Sequence, residues 1–97
     1  MIRHAAIFRF NKGVTDETVA AIDAALATLP DIIPEIVSFR SGCNIGITDG
    51  AWDYGVVAEF RTQDNYKTYA TNPEHVYIVQ NIVGPNVTEA ARIQFET

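Results

Sequence analysis

Directly after Met1 the chain reads Ile2-Arg3-His4-Ala5-Ala6-Ile7-Phe8-Arg9-Phe10. Successive side chains of a strand point to opposite faces, so alternate residues of this stretch share a face. One face would carry Ala5 and Ile7, and the other would carry His4, Ala6, Phe8 and Phe10. Because both sets are largely apolar, we predict a strand that is covered on both sides.

Three further stretches have strand patterns. Residues 54–60, Tyr54-Gly55-Val56-Val57-Ala58-Glu59-Phe60, are apolar at nearly every position, so both faces of this strand should also be covered. Residues 36–44 and 90–95 instead alternate apolar with polar side chains. Their apolar sets are Val37 and Phe39 in the first, and Ala91, Ile93 and Phe95 in the second. The pattern therefore predicts two central strands and two edge strands.

The first helix is predicted between the first two strands. Thr15 is a suitable N-cap, and an apolar stripe at helical spacing follows it before Pro30 ends the helix. The stripe consists of Val19, Ile22, Leu26 and Leu29. Residues 31–35 follow Pro30 and contain Pro34, and they are predicted to form a loop. Residues 45–53 contain Gly46 and Asp49-Gly50 and are predicted to connect two strands as a hairpin.

The second helix follows the third strand. It begins near Thr62 or Asp64 and carries Tyr66 and Tyr69. The helix breaks at Asn72-Pro73, and a further helical piece over residues 76–83 ends before Gly84-Pro85.

The order strand, helix, strand, strand, helix, strand predicts a single α+β domain over residues 1–97. A ferredoxin-like βαββαβ sheet in the spatial order 4-1-3-2 requires its first and third strands to be central, as the apolar pattern indicates. All helices of this topology pack on one face of the antiparallel sheet. Ala5, Ile7, Val57 and parts of 37–39 and 93–95 would therefore remain apolar on the other face.

That open apolar face predicts a homodimer, because large exposed apolar patches are rare on soluble monomers and a two-fold pairing of identical sheets is the commonest symmetry. We expect neither nucleic acid nor a membrane as a partner, since 7 Lys+Arg against 12 Asp+Glu give a net charge of −5 with no basic stretch. No signal-peptide pattern is recognised, so we expect a cytoplasmic protein. Cys43 is the one cysteine, and we expect it to be a free thiol.

The sequence resembles a known family, the stress-responsive A/B barrel domain (Dabb) proteins of the dimeric α+β barrel group. The resemblance spans nearly the whole chain. It is carried by residues 2–10, by Ile33-Pro34-Glu35-Ile36 with Gly42 and Asn44, and by Tyr69-Ala70-Thr71-Asn72-Pro73-Glu74-His75. The last stretch is similar to the family's Tyr-x-x-His-Pro-x-His motif, from which it departs at Asn72.

The resemblance implies a barrel of two facing sheets and, in each subunit, a cavity between sheet and helices. A plant polyketide cyclase of the family uses a first-strand histidine together with a tyrosine and a histidine of the motif. The matching positions here are His4, Tyr69 and His75, which are thus candidate catalytic residues. A structural role, with hydrogen bonds inside a packed interior, is the competing interpretation for both histidines.

Two functions remain open from the sequence. The first is a binding or stress-related barrel whose cavity behind Phe8, Phe10, Tyr66 and Tyr69 holds a small apolar or aromatic ligand, or nothing. The alternative is a cofactor-independent acid/base enzyme, similar to a polyketide cyclase or lyase, that uses Tyr69 and His75. A cofactor-free oxygenase is a third possibility that no residue singles out. We expect no cofactor, since no glycine-rich loop opens a helix, and no metal, since the histidines lack a ligand spacing.

Overall fold

The stretches predicted to be central form the middle of a four-stranded antiparallel sheet in the computed structural model, which describes residues 1–97. β1 (Ile2–Phe10) lies between β3 (Tyr54–Phe60) and β4 (Val87–Glu96), and β2 (Ser38–Cys43) pairs with the outer side of β3. The order β2-β3-β1-β4 is the predicted order seen from the other edge. The prediction of a ferredoxin-like α+β fold is therefore confirmed.

The helices follow the predicted caps. Thr15 Oγ1 accepts a hydrogen bond from the Thr18 backbone N–H, and Thr62 Oγ1 accepts one from the Asn65 N–H. Each cap satisfies a donor that the first helical turn leaves free. The helical elements are α1 (Asp16–Ala27), α2 (Leu29–Ile32), α3 (Gln63–Thr71), α4 (Pro73–Ile78), a π-helical segment (Val79–Val83) and a 3₁₀ turn (Gly84–Asn86).

The bounds of several elements differ from the sequence prediction. The chain forms the helical turn α2 where Pro30 was expected to end helical structure and a loop was predicted from residue 31. Pro30 lies in the first turn of α2, where its missing N–H costs no helical hydrogen bond. β4 begins at Val87 rather than near Ala90, because Val87 pairs with Phe10 beyond a register shift in which β4 has one extra residue, Thr88.

The core lies between the helices and one face of the sheet. Every second residue of β3 is buried there, and the apolar stripe of α1 packs against it. Burying a large aliphatic or aromatic side chain contributes about 1.5–3 kcal/mol, so this layer is the main source of stability. Its largest buried members are Tyr54, Phe60, Ile22, Leu29 and Ile33.

The opposite face of the sheet has no helix on it and is apolar along its middle. Ile7, Val57 and Phe95 are each more than a third exposed, and Ile93 is 59% exposed. Part of 37–39 was predicted to lie on this face, and within that range Phe39 pairs with Ala58 and packs on the core. We call the set Ala5, Ile7, Val57, Ile93 and Phe95 the open face.

Polar groups of β1, β2 and β3 border the open face. The Arg3 guanidinium donates to the Glu59 carboxylate over 3.0 Å, and Ser38 Oγ donates to the same carboxylate over 2.9 Å. These bonds hold the pKa of Glu59 below its ordinary value, the bond from Arg3 contributing most.

As to the helices, none combines the length and the apolar character that a membrane span requires.

Candidate functional site

A cavity of about 570 Å³ lies between the sheet and the helices, within the range of small-molecule sites in proteins. The helix-facing side chains of β1 form its floor, and α3, α4 and the π-helical segment form its roof. It opens along the edge of β4, where Thr88, Ala90 and Arg92 line it and are exposed. Most of its lining is apolar. An organic molecule of modest size could be held there.

The structure brings the three candidate catalytic residues together at this cavity. His4 projects from β1 and is only 5% exposed, while Tyr69 in α3 is 3% exposed. The ring centroids of His4 and Tyr69 lie 5.9 Å apart, and those of Tyr69 and His75 lie 4.3 Å apart. All three side chains line the cavity. Tyr69 therefore stands between two imidazoles.

The turn at Asn72 places Tyr69 and His75 side by side. Asn72 is extended, as the residue before a proline prefers, so α3 stops and α4 starts in a new direction. Asn72 Oδ1 accepts a hydrogen bond from the Glu74 backbone N–H over 2.9 Å. The departure from the family motif at this position is thus a helix N-cap.

Hydrogen bonding fixes the tautomer of His75. Its Nδ1 lies 3.2 Å from the carbonyl oxygen of Ala70, which can only accept, so Nδ1 carries the proton. Burial lowers the pKa of His75, although the bond to Ala70 acts in the opposite direction. The neutral ring then presents the lone pair of Nε2. That is the form a general base requires.

His4 has the complementary tautomer. The side-chain amide nitrogen of Gln94 donates to Nδ1 of His4 over 2.9 Å, so the proton of the neutral ring lies on Nε2. The same amide donates to the Tyr66 hydroxyl over 3.2 Å. Burial lowers the pKa of His4 to about 4, and repulsion by His75, when that ring is protonated, and by Arg92 acts in the same direction. His4 is therefore a neutral N–H donor near pH 7.

Tyr69 retains its proton in this environment. Burial, together with the neighbouring Tyr66, raises the pKa of its hydroxyl above the ordinary value. The hydroxyl takes part in none of the side-chain hydrogen bonds that order the neighbouring His4, Tyr66 and His75. It is available to donate to a molecule in the cavity.

The residues predicted to surround a ligand are only partly gathered here. Phe8 and Tyr66 line the cavity, but Phe10 lies outside it, against Tyr54 with 6.2 Å between ring centroids. Trp52 does not line the cavity, and the Arg9 guanidinium lies 4.5 Å from the centroid of its ring.

Two residues of the site were not identified from the sequence, Gln94 and Arg92. Both belong to the polar set of β4, which the alternating pattern would assign to solvent. Their place follows from the pairing of β4 with β1, in which Gln94 lies opposite His4 and Arg92 opposite Ala6.

As regards metals, the structure has no group of three or more His, Cys, Asp or Glu side chains that could hold one.

Comparison with known proteins identifies the family of the chain and finds solved structures with the same fold. The family model described as Stress responsive A/B Barrel Domain matches residues 2–97. A search of curated proteins finds no significant match. Among solved structures, a dimeric ferredoxin-like protein of unknown function from Thermobifida fusca is 33% identical, with a TM-score of 0.92 over 99% of this chain and 90% of that one.

Two other solved structures are also similar. A dimeric protein of unknown function with a ferredoxin-like fold from Bacteroides fragilis is 27% identical, with a TM-score of 0.83 over 99% of this chain and 95% of that one. The hydroxynitrile lyase of Passiflora edulis is 14% identical, with a TM-score of 0.84 over 97% of this chain and 90% of that one. At that identity the likeness to the lyase concerns the fold alone.

Proposed function

Because the chain belongs to the stress-responsive A/B barrel domain family, we propose that it works as a homodimer that holds a small, largely apolar ligand between its sheet and its helices. The observation that carries this proposal is the cavity of about 570 Å³. Its apolar walls favour an apolar body, and the Tyr69 hydroxyl and the imidazoles supply the few polar contacts that orient a ligand.

A neutral fluorescent probe tests this proposal. N-phenylnaphthylamine carries no charge and fluoresces more strongly in apolar surroundings. Its fluorescence should therefore rise to a plateau as it binds the wild-type protein. Ala90 lies at the cavity mouth opposite Phe8, and Ala90→Phe should fill the entrance and abolish most of the signal. The measurement is a fluorescence titration.

The matched control is Ala24→Phe, the same substitution at an exposed position of α1 that does not line the cavity. This variant should bind the probe as the wild type does. Equal loss in both variants would place the probe elsewhere on the surface, and absence of saturable binding to the wild type would contradict a ligand-holding function.

A second candidate function is a cofactor-independent acid/base enzyme. The tautomers of His75 and His4 support it. The lone pair of His75 Nε2 could take a proton from a carbon next to a carbonyl group. The Tyr69 hydroxyl could then donate a hydrogen bond to the enolate oxygen that develops. One protein of the same fold is named a hydroxynitrile lyase, and its identity to this chain is too low to carry a residue role.

Proton exchange tests the enzymatic candidate. Acetylnaphthalene has exchangeable protons beside its carbonyl group, and exchange in deuterated water is followed by NMR. An enzyme should accelerate the exchange, and His75→Gln should reduce the acceleration by about 10²–10⁴-fold while leaving binding of N-phenylnaphthylamine intact. If His75 is only structural, the wild type gives no acceleration and His75→Gln lowers the melting temperature instead.

We also propose a cytoplasmic location. Its support is that the single cysteine, Cys43, is an exposed free thiol, as is common in a reducing compartment.

A further inference from the structure

Arg92 occupies an unusual place at the mouth of the cavity. It lies on the edge strand β4 opposite Ala6, on the side of the sheet that faces the helices. Its side chain lines the cavity together with Ala90 and Thr88 and remains exposed. Arg92 thus borders both the cavity and the solvent. A ligand with one polar end could contact it without taking that end into the apolar interior.

The charge of Arg92 is not balanced by the cavity wall. The chain as a whole has a net charge of −5, yet no Asp or Glu side chain lines the cavity. The two ion pairs of the structure join Arg3 to Glu59 and Arg9 to Glu89, so neither neutralises Arg92. The lining histidines are neutral near pH 7, because burial lowers the pKa of both. The cavity therefore presents one positive charge at its entrance.

A guanidinium at that position suits one chemical group in particular. Its planar fork of N–H donors matches the two oxygens of a carboxylate, and such charge-assisted pairs are stronger than neutral hydrogen bonds. A carboxylate at the mouth would also stay partly hydrated, which lowers the desolvation cost of binding it.

We propose that the cavity binds apolar carboxylates, with the hydrocarbon or aromatic body against Phe8 and Tyr69 and the carboxylate on the Arg92 guanidinium. This inference rests on the proposed ligand-holding function and names the class of ligand. Discrimination between an acid and a neutral molecule of the same shape arises from one residue at the entrance.

Two probes of matched shape test the inference. Naphthoate and naphthamide differ in charge and share the same aromatic body, and calorimetry gives the affinity of each. The wild-type protein should bind naphthoate at least about tenfold more tightly than naphthamide, which corresponds to one strong charge-assisted contact. Arg92→Gln should remove this preference while leaving the affinity for naphthamide within about twofold.

The control is Arg61→Gln, which removes an exposed guanidinium that does not line the cavity. It should keep the preference for naphthoate, and circular dichroism should show that both variants are folded. Equal binding of the two probes by the wild type, or an unchanged preference in Arg92→Gln, would overturn the carboxylate assignment and leave the ligand-holding function standing. Failure of both naphthyl probes and of N-phenylnaphthylamine would overturn both.

Discussion

At the scale of single residues, burial keeps two imidazoles uncharged in one apolar interior. His4 is the more strongly affected, since its pKa falls from an ordinary 6.5 to about 4. The partners of the two rings then decide which nitrogen carries the proton: a carbonyl oxygen for His75 and an amide nitrogen for His4. The result is a lone pair and an N–H donor beside the same tyrosine.

The lowered pKa of His4 predicts a loss of stability in mild acid. The unfolded chain binds a proton at His4 near pH 6.5 and the folded chain only near pH 4, so protons favour unfolding between these values. Lowering the pH from about 7.5 to about 5 should reduce the free energy of unfolding by about 2 kcal/mol through His4 alone. Urea denaturation at fixed protein concentration measures this change.

The control for that prediction is His4→Gln, which should lose distinctly less stability over the same pH range. Glu59 does not interfere, because its pKa is lowered by Arg3 and its stabilisation is lost only as the pH falls below the ordinary value of 4.5. A wild-type protein equally stable at both pH values, or an unchanged pH dependence in His4→Gln, would contradict a buried neutral His4.

The positions of His4, Tyr69 and His75 at one cavity were predictable from the family resemblance, because the motif and the first strand carry these residues. Gln94 and Arg92 were not, since the residue types and spacing in β4 say only that one face is polar. Whether that polar face meets solvent or a cavity depends on how far the helices extend over the edge strand. Such a long-range packing property is absent from the local pattern.

At the scale of elements, the turn at Asn72 aligns the site. Its side chain caps α4 through the Glu74 N–H, and Pro73 occupies the first turn, where no N–H is needed. The break between α3 and α4 was predictable from Asn72-Pro73. The capping role was not, because a capping geometry depends on the direction in which the chain leaves α3.

The cap predicts a specific effect of substitution. Asn72→Ala removes the acceptor for the Glu74 N–H and should lower the free energy of unfolding by about 1 kcal/mol. Asn72→Asp keeps an oxygen acceptor and adds favourable charge at the helix start, so it should retain wild-type stability. Urea denaturation at one protein concentration distinguishes them, and equal stabilities of the Ala and Asp variants would show that the cap contributes nothing.

The π-helical segment shows another limit of sequence reasoning. A helical piece was expected over residues 76–83, and the structure shows that it widens to a π-helix over Val79–Val83, where the Gly84 N–H donates to the Val79 carbonyl. A Cβ atom on Gly84 would lie 2.8 Å from the Val79 oxygen, so only glycine permits this closure. Val79, Val83 and Gly84 all line the cavity. The apolar spacing of such a short segment does not distinguish an α-helix from a π-helix.

At the scale of the whole molecule, the hydrophobic pattern was enough to predict the topology. The first and third strands are apolar on both faces, and these are the central strands of the sheet. The same pattern leaves the open face, since no helix covers Ile7, Val57 or Ile93. Two of the similar solved structures are described as dimeric, which supports a second copy as its cover.

The most direct test of this architecture is sedimentation velocity at micromolar concentration. The wild type should sediment as a dimer, and Ile93→Asp should sediment as a monomer because it puts a charge into the apolar contact. The control is Tyr77→Asp. Tyr77 is 57% exposed in one chain, as Ile93 is 59% exposed, but it lies on α4 and not on the open face, so this variant should remain dimeric. A monomeric wild type at that concentration would contradict the pairing of open faces.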